Sequence, residues 1–365
     1  MAQSKSNGET DMQQFNKNFR LFFKKLTDLT GKSLASTEFR VLNFEIKRDL
    51  LTKATSRFEI INVPSAIEVG DVVGMYDSFG TIVFEGIVNL IEDNTVQAEQ
   101  MYDIFNDTWL WNNPQQATIE ETLKSILVND FQNNRDTLMA SIFSSFDITT
   151  SSSTNLTLQS EDDRYQTPFA SFLYEIYEKY GIVLNINVSY SEGRCNIDIG
   201  VPNYNRLKIA NNVFAFRNFD IISEVYETNK LVVYSESTGD YRGEWFTTST
   251  GITSDPQALN RIPKMKTEIV FSDDDIDTLK ASSLRNEIYN HQIEFDLVFD
   301  NKLIPFTDLR LGQGADIYFN SDYYDTILTG YEYSMSNNND GNETIRLKFG
   351  LVRTSLTNKL FKRLK

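Results

Sequence analysis

The sequence predicts a mainly β protein with α+β insertions, built as two similar small β-barrels flanking α+β domains. Three observations carry this prediction. The first is one β pattern written twice, about 240 residues apart. Its first copy is Val69-Gly70-Asp71-Val72-Val73-Gly74-Met75-Tyr76, a turn, then Thr81-Ile82-Val83-Phe84-Glu85-Gly86-Ile87. Its second copy is Leu311-Gly312-Gln313-Gly314-Ala315-Asp316-Ile317-Tyr318, a turn read as two residues longer, then Asp325-Thr326-Ile327-Leu328-Thr329-Gly330-Tyr331. In this alignment Gly70 matches Gly312 as a strand-entry turn, Tyr76 matches Tyr318, and Gly86 matches Gly330. Both copies run through a polar turn (Glu92 to Asn94; Asn337 to Asn342) into another alternating strand (Thr95 to Ala98; Thr344 to Leu347). Repetition at this distance fits two copies of one barrel, because solenoid periods are far shorter. The second observation is the number of short alternating segments bounded by turn residues. The third is a pair of helical windows with capping signals lying between the two copies.

In chain order, residues 1–34 read as a flexible N-terminus and an amphipathic helix. Phe15, Phe19, Phe22, Leu26 and Leu29 recur at helical spacing, Lys17, Arg20, Lys24 and Lys25 fall on other faces, and Gly31 ends the run. Such a helix caps its own domain or docks on a neighbouring subunit. Residues 35–105 read as the first barrel, with strands Phe39 to Ile46, Phe58 to Val63, Val72 to Tyr76, Ile82 to Leu90 and Thr95 to Met101. Residues 106–204 read as an α+β insertion. Thr118-Ile119-Glu120-Glu121 starts a helix as a capping box, with Leu123, Ile126 and Leu127 on one face. Thr167-Pro168 opens a second helix carrying Phe169, Phe172, Leu173, Ile176 and Tyr180, and Gly181 closes it. Ser151 to Thr154 reads as a surface loop, and Val183 to Val188 and Arg194 to Ile199 as strands.

Residues 205–283 are β-rich, forming part of the second barrel plus a small insertion. Hairpin signals stand at Thr228-Asn229-Lys230 and Thr238-Gly239-Asp240, and a helix is expected from Asp275 to about Asn290. Residues 284–352 complete the second barrel, where Gln292 to Leu297 alternates as a strand with one wet face. Residues 353–365 form a basic C-terminal tail, with Leu360, Phe361 and Leu364 among Lys359, Lys362, Arg363 and Lys365. It is a frayed end or a contact for an acidic partner.

Composition narrows the function. A chain of 365 residues supports several domains with real cores. Hydrophobic residues at 40% and aromatics at 13% exclude wholesale disorder. A net charge of −16 argues against a nucleic-acid-binding surface, which needs a basic face. One cysteine excludes a disulfide framework. No apolar run reaches the ~18 residues of a membrane span, and the polar start has no signal-peptide core, so synthesis and folding in a reducing cytoplasm are expected.

The search for chemistry predicts no catalytic, cofactor-binding or metal-binding residues. With His291 as the one histidine, a HExxH zinc site cannot form. A nucleophilic pair would need Cys195 with His291, but Cys195 sits in an alternating strand where a small buried thiol is the ordinary outcome. Gly312-Gln313-Gly314 lacks the third glycine and following helix of a dinucleotide loop. Asp273, Asp275 and Asp277 take calcium-loop spacing, but Thr278 stands where glycine is needed and Leu284 where glutamate is needed. Those acids read instead as a helix N-terminus. Trp109, Trp111, Trp245 and Tyr323-Tyr324 are sugar-stacking candidates, or core and interface anchors.

Four runs carry a family resemblance: Asp255 to Ile262; Lys266 to Asp275; Glu287-Ile288-Tyr289-Asn290-His291; and Tyr324 to Glu332. They resemble the hub, or tail-associated (Tal-like), proteins of tailed phages of Gram-positive bacteria, most strongly from Asn229 to Leu356. The resemblance implies a fold similar to the baseplate hub of contractile tails and to type VI secretion spike proteins. It implies a non-enzymatic structural protein of the virion tail tip, encoded by a phage or prophage. Three chains would form a ring joining the sixfold tail tube to a threefold tip, lining part of the DNA ejection channel. Implied partners are two further copies of the chain, the distal tail protein, the tape measure protein, and receptor-binding or fibre proteins. DNA would pass through the lumen without specific binding, and an acidic wall suits that passage. The alternatives are a tail-associated cell-wall hydrolase, whose paired carboxylates sequence alone does not reveal, and a receptor-binding module.

Overall fold

The computed structural model describes residues 19–26, 28, 39–77, 80–105, 109–110, 118–144, 146–151, 154–157, 167–189, 194–211, 213, 215–223, 228–248, 251–258, 267–284, 291–297, 304–336 and 342–352. Apolar residues at every second position make strands of the first segment: β1 (Arg20–Lys24), β2 (Phe39–Asp49), β3 (Thr55–Ile60), β4 (Val72–Tyr76), β5 (Ile82–Glu92) and β6 (Thr95–Gln100). They run in the order β1-β4-β5-β6-β3-β2, every neighbour antiparallel, and β1 meets β2 again through Arg20↔Arg40 and Leu21↔Phe39. The ring is closed, and Phe58, Val73, Met75, Phe84, Val96 and Ala98 are buried inside it.

β1 corrects the expected N-terminal helix. Phe19-Arg20-Leu21-Phe22-Phe23 carries helical and alternating periodicity at once, and the strand wins because the barrel has a place for it. Phe19, Leu21 and Phe23 are buried to 1% exposure or less, and five residues of β1 pair with β4. Tertiary context thus overrides the local pattern. Phe22 turns to the other face, where its ring lies 5.6 Å from Tyr76 and covers Gly74 so closely that a Cβ there would sit 2.1 Å from it. Phe15, Lys17, Leu29 and Gly31 of the expected helix lie outside the described residues.

The insertion follows through a tight 3₁₀ turn, Met101–Phe105. β7 (Trp109–Leu110) leads to α1 (Ile119–Ile126), a π-type turn at Leu127–Gln132, α2 (Thr137–Phe143) and β8 (Phe146–Thr150). Thr118 caps α1 by accepting the Glu121 N–H at 3.2 Å, as the capping-box pattern requires. β9 (Thr167–Pro168) pairs with β7, so α3 (Phe169–Tyr180) begins one residue later than the Thr-Pro signal implied. Gly181, at φ +69°, closes α3. β10 (Val183–Ser189) and β11 (Arg194–Gly200) complete a sheet ordered β10-β11-β8. Phe105, Phe131, Phe143 and Phe169 form its aromatic core, with ring centroids 4.9 to 6.0 Å apart.

β12 (Leu207–Ala210) leads through residues 211–215 into β13 (Phe216–Ser223). A small sheet then interrupts: β14 (Lys230–Tyr234), β15 (Tyr241–Thr248), β16 (Gly251–Thr253) and β17 (Thr267–Phe271), ordered β16-β15-β14-β17. α4 (Ile276–Ser283) covers one face through Leu231, Val233, Leu279 and Leu284. Gly239, at φ +74°, makes the β14–β15 hairpin that its turn signal predicts. Thr228-Asn229-Lys230 makes none, because β13 and β14 belong to different sheets. Residues 285–290 of the expected long helix lie outside the described residues.

β18 (His291–Leu297), β19 (Gly314–Phe319), β20 (Asp322–Ser336) and β21 (Asn342–Gly350) return to the second barrel, ordered β12-β19-β20-β21-β18-β13. β12 lies parallel to β19 and β13 antiparallel to β18, so consecutive strands of one run of chain form the two edges of this sheet. The two barrels are fused: β2 pairs with β20 from Phe44↔Met335 to Asp49↔Gly330. One hydrophobic core runs through both.

Candidate functional site

The duplication is exact in its hydrogen bonding. Gly70, at φ +96°, and Gly312, at φ +81°, hold backbone that favours glycine. Their N–H groups donate to Val88 O and Leu328 O, both at 2.8 Å, and the Val88 and Leu328 N–H groups return to Asp71 O and Gln313 O. Asp71 Oδ2 accepts the Glu68 N–H at 2.9 Å, and Gln313 Oε1 accepts the Arg310 N–H at 3.1 Å. Each outer strand then carries a bulge at the same place, between Val88 and Leu90 and between Leu328 and Gly330. Tyr76 and Tyr318 stand at matching positions near the ends of β4 and β19.

This register corrects two details of the sequence alignment. Val88 matches Leu328, so Gly86 matches Thr326 and Gly330 matches Leu90. The second turn is also the shorter one. Asn320 and Ser321, at φ +48° and +78°, turn the chain in two residues, and β20 already begins at Asp322. Gly86 and Gly330 serve different ends: a Cβ on Gly86 would meet Glu99 O at 2.2 Å inside the first barrel. On Gly330 it would meet Asp49 Oδ1 at 2.3 Å and Arg48 O at 2.9 Å, where the barrels fuse.

Both barrels and the insertion meet at a cleft of about 410 Å³ lined by Arg48, Asp49, Thr81 to Glu85, Val183 to Val188, Leu309 and Tyr331, among others. Glu85, half-buried at its floor, accepts the Val188 N–H at 3.4 Å. Burial pushes its carboxyl up to about 7, against the pull of Arg48 and the Val188 N–H. Arg48 lies 5.3 Å over the Phe84 ring and donates through Nη2 to Glu85 O at 3.4 Å.

The structure does not bring the candidate nucleophile pair together. Cys195 is buried in the insertion core, its thiol pushed far above the ordinary range by that burial and by Glu85. His291 opens β18 in the second barrel, its ring 5.2 Å from Tyr324 and its pKa lowered by burial. Among the described residues, no group of three His, Cys, Asp or Glu is placed to hold a metal ion. Asp273 instead accepts from Ser235 Oγ at 2.6 Å and the Ser237 N–H at 3.0 Å, which hold its carboxyl below the usual range. Asp275 accepts the Asp277 N–H at 2.9 Å at the start of α4. Trp245 packs partly buried against the core under α4, with Lys280 Nζ 5.6 Å from its ring centre. Tyr323 is exposed and donates to Asp316 Oδ1 at 2.8 Å, beside the Arg206 ion pair. Trp111 and the Trp109 side chain lie outside the described residues. Sequence reasoning missed the Glu85 cleft, since an alternating glutamate reads as solvent-facing unless its neighbours are known.

No protein-family profile and no curated protein matches the sequence. Solved structures do match in fold. The tail protein from Neisseria meningitidis MC58 superposes with a TM-score of 0.55 at 12% identity, covering 92% of this chain and 97% of that one. The 43 kDa tail protein of prophage MuSo2 from Shewanella oneidensis gives 0.56 at 11% identity, covering 91% and 98%. A chain of the phage P2 baseplate in its activated conformation gives 0.51 at 13% identity, covering 91% and 98%. The chain shares the fold of phage tail and baseplate proteins over nearly its whole length.

Proposed function

We propose that this chain is the structural hub of a phage tail tip or baseplate. Three copies form a ring that joins a sixfold tail tube to a threefold tip and surrounds part of the DNA ejection channel. The observation that carries this reading is the fusion of two barrels with one strand order, which lets three chains present six similar barrels. The likeness to tail and baseplate proteins supports it. The chain then divides into a first barrel closed by its N-terminal strand, an α+β insertion, a small-sheet insertion and a second barrel, with residues 353–365 as a basic tail. Its role is mechanical, with no catalytic residues. It binds two further copies of itself, the distal tail protein, the tape measure protein and receptor-binding or fibre proteins, and DNA passes without specific contacts. Genome ejection is the process it serves, at the virion tail tip.

The mass of the assembled species tests this. Co-expressed with the distal tail protein, the chain should be recovered as a trimer that buries well over ~1,600 Å² per interface. A stable dimer whose twofold axis covers the β2–β20 seam would overturn the ring.

A further inference from the structure

The cleft beside Glu85 has one wall made of backbone. Among the described residues β10 is an edge strand, paired on one side with β11 and on the other with no strand. The Val188 N–H donates to Glu85 Oε2, so at Val188 the backbone faces away from β11. The N–H and C=O of one residue point to the same side of an antiparallel strand and alternate along it, so Leu184 and Ile186 face the same way as Val188. The far side of the sheet agrees: Ile199, opposite Leu184, gives its carbonyl to the Ser151 N–H at 3.1 Å, away from β10. All three outward residues line the cleft. Among the described residues, no hydrogen-bond partner meets the Leu184 or Ile186 N–H. Leu184 is 7% and Val188 8% exposed, so this edge is recessed and its unpaired groups are costly to leave unmet.

We propose that the cleft takes an extended segment of a partner polypeptide, added to β10 as a further strand. Val183 to Val188 spans ~20 Å at the rise of a strand, room for four to six residues. Main-chain bonds supply the affinity and side-chain pockets the selectivity, as in strand addition generally. The segment is uncharged, with apolar residues at alternate positions. Leu50, Val83, Leu309 and Tyr331 offer apolar contact, while Arg48 and Arg310 balance Asp49 and Glu85. Residues 353–365 of this chain, with five basic side chains, match that lining poorly.

The probe is a capped hexapeptide of alternating valine and threonine, added to the full chain and followed by amide hydrogen exchange and by fluorescence polarisation of a labelled copy. Saturable binding should slow exchange at Leu184 and Ile186 at least tenfold and leave Asn185 and Asn187, already in the β11 ladder, unchanged. Ile186→Pro removes one outward N–H without touching that ladder, and should weaken binding at least tenfold. N-methylating alternate peptide amides should abolish binding, a control independent of how the variant folds. No protection at millimolar peptide, equal binding by Ile186→Pro, or equal binding by the N-methylated peptide overturns the proposal. So do Leu184 and Ile186 amides that already exchange as slowly as Asn185 in the free protein and speed up when residues 353–365 are removed. The hub reading stands or falls separately, by its own mass measurement.

Discussion

The two barrels share five strands in one order and differ in the sixth, which pairs on both sides in the first barrel and with β19 in the second. In the first, β1 arrives from the N-terminal side and lies antiparallel to β4. In the second, β12 lies parallel to β19 and runs on into β13. The reversal changes which end of the sixth strand meets the duplicated turn. Lys25, just after β1, reaches Asp71 and Glu68 at 2.9 Å. Asn205, just before β12, gives its carbonyl to Gln313 Nε2 at 2.7 Å. The duplicated turn thus reaches its sixth strand through an ion pair in one barrel and an amide in the other. In the second barrel Arg206 adds an ion pair to Asp316 on β19 rather than to the turn. A duplicated fold keeps its turn and bulge geometry, set by local backbone, while its sixth strand is free to drift with the chain that supplies it.

The largest effects should come from emptying the sixth strands. Phe23→Ala in β1 and Ile209→Ala in β12 each remove a side chain at 1% exposure or less. Costs of about 3–5 and about 2–4 kcal/mol are expected in denaturant titration. A loss at Phe23 below about 1 kcal/mol would mean that β1 is not part of the stable barrel.

Glu85 comes next. Its folded value of about 7 exceeds its ordinary 4.5, so the folded state holds the proton more tightly. Its stabilising share is whole below pH ~4.5, falls as pH rises to 7 and is flat above, since the unfolded state ionises first. Glu85→Gln should therefore gain about 3 kcal/mol over the parent between pH 4 and pH 8. Parallel pH–stability curves for the two proteins would show that the cleft does not bury this carboxyl.

Alanine at the matched glycines sharpens the comparison. Gly70→Ala meets open space and bears only backbone strain, about 1–2 kcal/mol. Gly312→Ala adds a contact with Pro202 Cγ at 2.9 Å and should cost more in the same thermal melt. Equal costs would remove the packing difference between the turns. The smallest effect belongs to the links from turn to sixth strand: Lys25→Ala should weaken the first barrel slightly, and high salt should erase the difference from the parent. Gln313→Ala should show no such salt dependence.

Strand alternation made β2 to β6 and β18 to β21 legible, and β13 only as part of a β-rich stretch. The glycine at each turn was legible too, because both signals act within a few residues. Thr118, Gly181 and Gly239 were legible for the same reason. β1 was not, because Phe19 to Phe23 satisfies two periods and only the waiting edge of β4 decides between them. The offset of Gly86 from Gly330 was hidden because Asp322, Tyr323 and Tyr324 read as part of the turn, whereas the positive φ angles of Asn320 and Ser321 complete it in two residues and β20 begins at Asp322. The cleft was illegible for a different reason. Glu85, Arg48 and Val188 come from three separate stretches, and their proximity exists only once the barrels and the insertion have met.

In the proposed ring, two like barrels of each chain serve as near-equivalent parts. An image reconstruction of the intact tail tip tests this most directly. It should place three copies on the tail axis, with six barrels at one height and β2–β20 seams alternating with contacts between chains. A map in which the chain lies off the axis, or in which its two barrels sit at different heights, would contradict it.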